Sequence, residues 1–409
     1  MNCAEQDPRR ELIQVLEEDT LMHLFFSVGE PSGDQHTAHL IEEIRKRNPE
    51  ATFSAFGGPE MQAAGCHVEV RLTDYAVMGI FNVIPLIFKF IQLIRQAGAY
   101  LESHRPDAVI LVDFPGFNWW IARKAKALGI PVFYYLPPQL WAWAPWRIRR
   151  VRKNVDYVLS GLKFEKAWYE NRGVKVDYIG HPFFDEVASK KLDSSTLSEL
   201  AQSEKKVGVL PGSRTGEVTR NFPFMLQIIS QLADQFPQVT FPVACYREAH
   251  LDLCSQFIEE AKLSHLPIRL YLKKTSEIIE SADCCLMVSG SVSLELLARK
   301  TPAVVIYRSH WGMYFMAHLL ITCKYMSLPN LIADRELMPE FPSVGSAVKD
   351  LAKINTILSD WLRTPLSLER ARHKLSSLYD ETVIPGASAQ AAIAILNKIE
   401  PASQQKSAA

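Results

Sequence analysis

Short apolar runs alternate along this chain with longer segments of helical periodicity, and this alternation constrains the fold more than any other feature. The runs lie at 21–28, 108–112 and 132–136 in the first half, and at 207–210 and 283–288 in the second. Near-continuous apolar strands separated by helices are typical of parallel sheets covered on both faces. We therefore predict an α/β protein of two Rossmann-like, doubly wound domains that face a cleft.

The domain boundaries follow from the same pattern. We expect a first domain at 21–185 and a second at 205–365, joined by a linker through roughly 185–204. The C-terminal helices, at about 367–399, are expected to pack back on the first domain and complete it. Residues 1–20 are polar and charged and predict a flexible extension, and 400–409 predict a disordered tail.

Charge and cysteine content limit the class of protein. Lys+Arg and Asp+Glu both number 45, and this balance argues against a general nucleic-acid binder. The seven cysteines form no C-x-x-C pair, and residues 1–20 lack the apolar core of a signal peptide. The segment 80–94 is too short to span a bilayer, and Pro85 and Lys89 interrupt it. We therefore expect a cytoplasmic protein.

A short polar loop follows the apolar run at 207–210. It contains Gly212, Ser213 and Arg214 and leads into a helical segment that begins near Glu217. Free N–H groups and the positive end of a helix dipole make such a loop an anion cradle, to which Arg214 adds a forked donor. The alternative is an ordinary strand–helix turn with a surface arginine.

A second loop of the same design follows the run at 283–288. It consists of Ser289, Gly290 and Ser291, with Glu295 in or near the first turn of the next helix. A carboxylate there suits the helix dipole, and it could equally accept hydrogen bonds from a ribose diol.

Polar groups also follow the first-half strands. Asp113 stands at the carboxyl end of 108–112, where ligands gather in open α/β sheets, and is a candidate general base. The alternative is that Asp113 only caps the next helix, at 117–128. After 21–28 comes a loop whose glycines allow close backbone approach to a ligand, and Ser32 or Asp34 could cap the helix that follows.

An unusually apolar block occupies 77–94 and includes Ile80, Phe81, Ile84 and Ile87. It could be a core helix, or an exposed apolar patch rimmed by cations that suits a membrane surface or an acyl chain. We favour the patch, because apolar residues occupy more than one helix face. The basic cluster at 147–153 is either a solvated helix face or a contact for phosphate or anionic lipid.

Several common catalytic motifs are absent from the sequence. There is no Asp-x-Asp, no H-E-x-x-H, no Walker sequence and no G-x-S-x-G. The sequence therefore argues against a metal-bridged diphosphate, a zincin, a P-loop NTPase and a serine hydrolase.

Ordered motifs extend over nearly the whole chain, from about His23 to Ile395. They are GEPSGD at 29–34, GGPEMQA at 57–63, AVMG at 76–79, DFPGFN at 113–118, WAW at 141–143, FEKA at 164–167, GHP at 180–182, LPGSR at 210–214, SG at 289–290, SLPNL at 327–331 and REL at 335–337. In this order and spacing they resemble the lipid-A-disaccharide synthase family, which are inverting glycosyltransferases of the GT-B type.

The resemblance implies a reaction and a location. UDP-2,3-diacylglucosamine would donate its sugar to the 6-hydroxyl of 2,3-diacylglucosamine 1-phosphate, giving a β-1,6-linked disaccharide and UDP without metal or cofactor. The protein would be peripheral on the cytoplasmic face of the inner membrane, and a homodimer remains open. The first domain would take the acceptor and the membrane, and the second would take the UDP-sugar.

The resemblance also assigns roles to residues. Asp113 matches the family's candidate catalytic aspartate, and Arg214 would neutralise the departing UDP. The donor set is Gly212, Ser213, Arg214, Ser289, Gly290, Ser291, Glu295 and Asn330. The acceptor and loop candidates are Glu30, Ser32, Gly33, Asp34, Asn118, Trp141 and Trp143.

Some positions depart from the family pattern, among them Pro31, Gly116 and Ser291, and the segment 137–139. Most of these departures concern the acceptor side. Two other functions stay open: a nucleotide-sugar enzyme with the same fold, such as a 2-epimerase or a transferase for another lipid acceptor, and an inactive membrane-associated binding protein.

Overall fold

The computed structural model describes residues 21–75, 83–309, 312, 315, 322–345 and 347–406. Within these residues the chain forms two compact units. The first contains 21–141, 145–182 and the chain from 384 onward, and the second contains 142–144 and 183–383. Each unit is built on a parallel sheet, so the prediction of two α/β domains is confirmed.

The sheet of the first unit has seven described strands in the order β3-β2-β1-β4-β5-β6-β7. They are β1 (His23–Val28), β2 (Thr52–Gly57), β3 (His67–Arg71), β4 (Ala108–Val112), β5 (Val132–Tyr135), β6 (Tyr157–Ser160) and β7 (Val176–Tyr178). The central strands are apolar on both faces because helices cover both sides of the sheet.

Six helices of the first unit connect these strands. They are α1 (Pro31–Arg47), α2 (Pro59–Ala63), α3 (Val83–His104), α4 (Pro115–Ala127), α5 (Ile148–Asn154) and α6 (Lys163–Glu170). Helices α3 to α6 bury apolar side chains in the core on one face of the sheet, and α1 and α2 do so on the other.

The second unit repeats this design with six described strands in the order β10-β9-β8-β11-β12-β13. The strands are β8 (Lys205–Leu210), β9 (Val239–Cys245), β10 (Ile268–Leu272), β11 (Cys284–Val288), β12 (Ala303–Ser309) and β13 (Glu340–Val344). The helices are α7 (Pro182–Ser189), α8 (Ser194–Leu200), α9 (Thr215–Gln235), α10 (Glu248–Glu260), α11 (Thr275–Ser281), α12 (Val292–Ala298), α13 (Leu328–Ala333), α14 (Val348–Arg363) and α15 (Pro365–Thr382).

Some elements were not expected from the sequence. The segment 185–204, expected to be a linker, contains most of α7 and all of α8. Strands β3 and β13 were missed because both lie at a sheet edge, where burial on two faces is not required. In β3 the exposed residues His67, Glu69 and Arg71 alternate with half-buried valines, so the strand lacks an apolar run.

The C-terminal region also differs from expectation. Helix α15 groups with the second unit, not the first, because Leu375 and Leu378 are buried in that unit's core. The last helix, α16 (Ala387–Lys406), packs on the first unit, where Ala391 and Ile395 are buried against the face that carries α1. Since α16 continues to Lys406, the predicted disordered tail is a helix over 400–406; the extension at 1–20 lies outside the described residues.

Candidate functional site

Strands β1 and β4 are hydrogen-bonded neighbours, so the residues that follow them meet at the carboxyl edge of the first sheet. Asp113 follows β4 with a left-handed backbone, φ 46°, and Phe114 continues it at φ 40°. This conformation is costly for residues other than glycine. It is held by two donors to the Asp113 carbonyl, Asn118 Nδ2 at 2.9 Å and Tyr134 Oη at 2.7 Å.

Asn118 is fully buried and serves the backbone around Asp113. Its Nδ2 also donates to the carbonyls of Ser27, at 3.1 Å, and Val112, at 3.0 Å. Its Oδ1 accepts from Ser27 Oγ at 2.6 Å. The side chain thus ties β1 to β4 and fixes the direction of the Asp113 turn, so it acts on a ligand only through Asp113.

The two glycines of the 29–34 loop are required by close packing. A Cβ at Gly29 would lie 2.2 Å from the Phe114 ring, and one at Gly33 would lie 3.1 Å from Asp113 Oδ2. The backbone of α1 therefore passes directly beside the Asp113 carboxylate. Glu30, exposed at the start of α1, is the N-cap residue.

The capping prediction for α1 is wrong, because no side chain caps this helix. Ser32 is exposed in its first turn. Asp34 is buried, and its carboxylate accepts from the N–H groups of Glu60, at 2.9 Å, and Met61, at 3.1 Å. Asp34 therefore stabilises the start of α2, which satisfies both of its oxygens within the fold.

The electrostatics of the Asp113 carboxyl suit proton transfer. Burial, together with the nearby negative charge of Glu30, raises its pKa to about 7 against the opposing effect of His36. A carboxyl with a pKa near neutrality can accept a proton from a hydroxyl group at physiological pH. The alternative role is excluded, since the N-cap residue of α4 is Phe114 and no side-chain hydrogen bond caps this helix.

The two tryptophans of the loop after β5 are placed differently. Trp141 is buried, and its Nε1 donates to Glu165 Oε1 at 2.9 Å. Trp143 is 46% exposed. Glu165 was not singled out from the sequence as a site residue, although an acidic residue among the apolar and aromatic residues at 162–169 was a usable signal.

In the second unit, a carboxylate side chain of the protein itself occupies the predicted anion cradle. Glu217 Oε2 accepts from the N–H groups of Ser213, at 3.1 Å, and Arg214, at 3.2 Å, and its Oε1 accepts from Arg214 Nη1 at 3.0 Å. Gly212 has φ 119°, and a Cβ there would lie 2.7 Å from the Glu217 side chain. The loop thus binds a carboxylate, while the Arg214 side chain is 83% exposed.

The second loop lies at the same edge of the sheet, because β11 pairs with β8. Ser289 Oγ donates to the Met326 carbonyl at 2.7 Å. Glu295 is buried and forms an ion pair with Arg299, whose Nε lies 3.1 Å from its Oε1. Ser289, Gly290 and Ser291 therefore sit on the edge beside the cradle, and Glu295 lies below them in a charge pair.

The side-chain amide of Asn330 forms hydrogen bonds through both its oxygen and its nitrogen, within the segment between α13 and β13. Its Oδ1 accepts from the N–H groups of Leu337, at 2.8 Å, and Met338, at 2.9 Å. Its Nδ2 donates to the Met338 carbonyl and to Glu340 Oε1, both at 2.7 Å. Asn330 is fully buried, so it shapes the chain between α13 and β13. In the described part of the chain, no cluster of His, Cys, Asp or Glu could hold a metal ion.

The predicted membrane patch is described only in part. Ile80 and Phe81 lie outside the described residues, and Ile84 and Ile87 lie on α3 with side chains that are not described. The next residues of α3 are Phe88, 83% exposed, and Ile91, 42% exposed. Among the described helices, none combines the length and apolar character needed to cross a bilayer.

Helices α4 and α5, on the same face of the sheet as α3, add cations and aromatic groups. On α5, Arg149, Arg150, Arg152 and Lys153 are exposed, and none of them forms an ion pair within the described chain. Trp120 on α4 is 50% exposed, and Trp146, before α5, is 63% exposed. Exposed arginines interleaved with aromatic side chains suit an anionic lipid surface.

Two parallel-sheet units with polar loops at their carboxyl edges define the class: the GT-B architecture of glycosyltransferases and nucleotide-sugar epimerases. The fold is similar to that of a UDP-GlcNAc 2-epimerase from Neisseria meningitidis bound to UDP-GlcNAc, with a TM-score of 0.60 and 14% identity over 93% of this chain and 100% of that one. A family model described as lipid-A-disaccharide synthetase matches residues 24–363. The chain therefore belongs to the lipid-A-disaccharide synthetase family.

Full-length relatives agree with this assignment. A lipid-A-disaccharide synthase from Nitrosococcus oceani is 35% identical over 316 residues, which cover 76% of this chain and 80% of the relative. One from Syntrophus aciditrophicus is 33% identical over 375 residues, covering 91% of this chain and 96% of the relative. The resemblance expected from the motifs is confirmed.

Proposed function

We propose that this protein transfers 2,3-diacylglucosamine from its UDP donor to the 6-hydroxyl of 2,3-diacylglucosamine 1-phosphate, forming the β-1,6-linked disaccharide 1-phosphate and UDP. Membership of the family supports the reaction as a whole. The observation that carries the mechanism is the Asp113 carboxyl, held by a strained turn at the carboxyl edge of the first sheet, with a pKa of about 7.

The chemistry is an inverting displacement with one base. The acceptor oxygen forms a bond to the anomeric carbon as the bond from that carbon to the UDP oxygen breaks. The hydroxyl proton passes to the Asp113 carboxylate, and the electron pair of the broken bond leaves with UDP. Inversion needs no second carboxylate and no covalent intermediate.

The departing UDP gains one negative charge on a diphosphate that is already anionic, and this charge needs stabilisation. In the proposal, the N–H groups of Ser213 and Arg214 and the exposed Arg214 guanidinium receive the diphosphate and take the place of a metal ion. The Ser289–Ser291 loop, on the neighbouring strand, takes the nucleoside. Glu217 holds the two N–H groups in this structure, so its carboxylate has to rotate away when the diphosphate binds.

The substrates are acylated, and we propose that the protein works on the cytoplasmic face of the inner membrane as a peripheral protein. The exposed Phe88 and Ile91 on α3 support contact with acyl chains. The exposed cations of α5, which form no ion pair with other described residues, support contact with anionic headgroups, to which each Lys or Arg near the surface contributes about 1 kcal/mol.

Product analysis tests the reaction. The purified protein is incubated with UDP-2,3-diacylglucosamine, with and without 2,3-diacylglucosamine 1-phosphate, and UDP, disaccharide and donor stereochemistry are measured. We expect UDP and disaccharide in equal amounts, formed only when the acceptor is present. An epimerised donor without acceptor would show a 2-epimerase instead, and substrate binding without any product would show an inactive binding protein.

A further inference from the structure

We propose that Glu165 is a positioning residue for the lipid acceptor, because it anchors Trp141 and with it the aromatic loop at 137–146. This inference rests on the proposed function, in which the acceptor hydroxyl reacts at Asp113, and it assigns the loop to that acceptor. Glu165 takes no part in the displacement chemistry described above. It is nonetheless a buried carboxyl group, 3% exposed, at the start of α6. Burying a carboxyl group costs free energy unless the surrounding protein hydrogen-bonds it or pairs its charge.

The contacts of Glu165 lead directly to the loop. Its Oε1 accepts the indole N–H of Trp141 at 2.9 Å, and its Oε2 lies 2.6 Å from Ser160 Oγ. Both partners are buried, and no basic side chain lies within 4.0 Å of the carboxyl in the described part of the chain. Glu165 is therefore a hydrogen-bonding anchor between the end of β6 and the loop, and it is not half of an ion pair.

The hydrogen bonds of this network can be satisfied whether or not Glu165 carries a proton, since the Leu162 carbonyl also accepts from the Lys166 N–H at 3.1 Å. Ser160 Oγ accepts from the Leu162 N–H at 3.2 Å and can donate to the Leu162 carbonyl at 3.0 Å. The hydroxyl has a single hydrogen, so it cannot donate to the carbonyl and to Glu165 together. Ser160 can donate to an ionised Glu165, and a protonated Glu165 can donate to Ser160. Burial raises the pKa of Glu165 to about 7, against the opposing effect of its hydrogen bonds with Ser160 and Trp141.

Two further contacts attach the loop to the same helix. Tyr169 Oη, on α6, donates to the Pro138 carbonyl at 3.1 Å. The Trp141 ring packs edge-to-face on Phe164, with centroids 4.8 Å apart. Glu165, Tyr169 and Phe164 thus hold the loop at two points, and the carboxyl group of Glu165 is the one that fixes the orientation of the indole.

The anchored loop begins close to the proposed base. It leaves β5, which pairs with β4, and Tyr134 of β5 donates to the Asp113 carbonyl. At its far end, Trp146 is 63% exposed and free to meet a ligand. An aromatic loop that begins at the strand next to β4 can hold an acylated sugar against Asp113, the proposed base. Its position depends on the Glu165–Trp141 bond.

The test compares four variants in the acceptor-dependent assay. Glu165→Ala removes the anchor, Trp141→Phe removes only the indole N–H, and Glu165→Gln supplies an N–H where the protonated acid has its O–H. Glu170→Ala is the matched control, since Glu170 is an exposed residue of the same helix. The readouts are kcat, KM for the acceptor, KM for the UDP donor, and tryptophan emission.

We expect Glu165→Ala and Trp141→Phe to raise the acceptor KM by about tenfold, as the loss of one buried hydrogen bond to a carboxyl group predicts. The donor KM and kcat should stay within about twofold. Glu165→Gln and Glu170→Ala should behave like the unaltered protein. Tryptophan emission should shift to longer wavelength in Glu165→Ala, as Trp141 meets water.

Three outcomes overturn the inference. One is an unchanged acceptor KM in Trp141→Phe. This variant keeps the ring packing, so it still tests the inference if Glu165→Ala does not fold. Another is a Glu165→Gln variant as impaired as Glu165→Ala. The third is a loss of kcat equal to that of an Asp113 variant. If the unaltered protein uses no acceptor, the proposed function fails first, independently of any Glu165 result.

Discussion

Carboxylates that look equivalent in the sequence have separate roles because their surroundings differ. Asp113 is held at a strained turn where burial raises its pKa to about 7. Asp34 is buried close by, and both of its carboxylate oxygens accept hydrogen bonds from N–H groups of α2. Glu217 lies in the first turn of α9 and occupies the N–H groups expected to bind a ligand. Hydrogen-bond partners, and not residue type, decide which carboxylate is available.

The pKa of Asp113 predicts how the reaction depends on pH. A general base acts in its deprotonated form, so kcat/KM for the acceptor should rise with pH up to about 7 and then level off. Asp113→Asn should lower kcat by about 10²-fold or more while UDP still binds, because catalysis by a general base is worth about that much. Steady-state rates from pH 5 to 9 and calorimetric UDP binding measure both effects.

The control for Asp113 is Asp185, an acidic residue in the first turn of α7. Asp185→Asn should leave the profile unchanged. A kcat/KM that is flat across pH 5 to 9 in the unaltered protein, or full turnover in Asp113→Asn, would remove Asp113 from the mechanism.

The Glu217 carboxylate in the cradle predicts that one substitution should strengthen UDP binding. Glu217→Gln removes a negative charge from the two N–H groups that the diphosphate is proposed to use, so UDP should bind several-fold more tightly. Calorimetry with UDP measures the change. Glu248→Gln, in the first turn of the neighbouring helix α10, is the matched control. Weaker UDP binding in Glu217→Gln would mean that the carboxylate organises the loop for the ligand.

At the scale of elements, a single helix can serve both the core and a surface. The later turns of α3 bury Leu93, Ala97 and Leu101 against the sheet, which is the core-helix interpretation of the apolar block. The earlier turn exposes Phe88 and Ile91, which is the patch interpretation. The core interpretation is confirmed for the later turns, and the membrane patch stays a prediction that the exposed Phe88 and Ile91 support.

The exposed turn of α3 predicts membrane attachment. Replacing Phe88 and Ile91 together by Ser should lower co-sedimentation with anionic vesicles at least several-fold, since each large apolar side chain contributes about 1.5–3 kcal/mol when buried. Folding should be unaffected, because both side chains are exposed. Vesicles of phosphatidylglycerol and phosphatidylethanolamine provide the assay.

The matched control replaces Val348 and Leu366, which are 68% and 60% exposed in the second unit. That double Ser variant should bind vesicles normally. Equal loss in both variants, or no loss in the first, would show that α3 does not contact the bilayer.

At the scale of the whole molecule, the end of the chain completes the unit in which the chain began. Helix α16 contributes Ala391, Ala392, Ile395 and Ile399 to the core that also contains β1 and α1. The core of the first unit is therefore incomplete without α16, whereas α15 stays with the second unit.

This arrangement predicts a difference between two isoleucines of α16. Ile395 is fully buried and Ile393 is 40% exposed. Ile395→Ala should lower the free energy of unfolding by about 2–5 kcal/mol, because it leaves a cavity in the core. Ile393→Ala should change it by less than about 1 kcal/mol. Urea unfolding followed by circular dichroism compares them, and equal effects would contradict the packing of α16 on this core.

The sequence alone determined the class of fold and the family. Apolar runs of strand length, separated by helices, predict parallel sheets because such strands must be buried on both faces. The ordered motifs carried the family resemblance, and Asp113 was placed at a strand end by the same pattern. These features are local, since each depends on a few consecutive residues.

Only the tertiary structure decided which polar groups are free for a ligand. Asn118 is hydrogen-bonded to Ser27, 91 positions away in the chain, and Asn330 is saturated by the backbone at 337–338 and the Glu340 carboxylate. Glu165 became visible as an anchor only through Trp141 and Ser160. A hydrogen bond joins groups that packing brings together, and linear distance does not predict those pairs. For the same reason, the sequence did not predict that α15 packs on the second unit and α16 on the first. Each helix belongs to the unit whose core buries its apolar face.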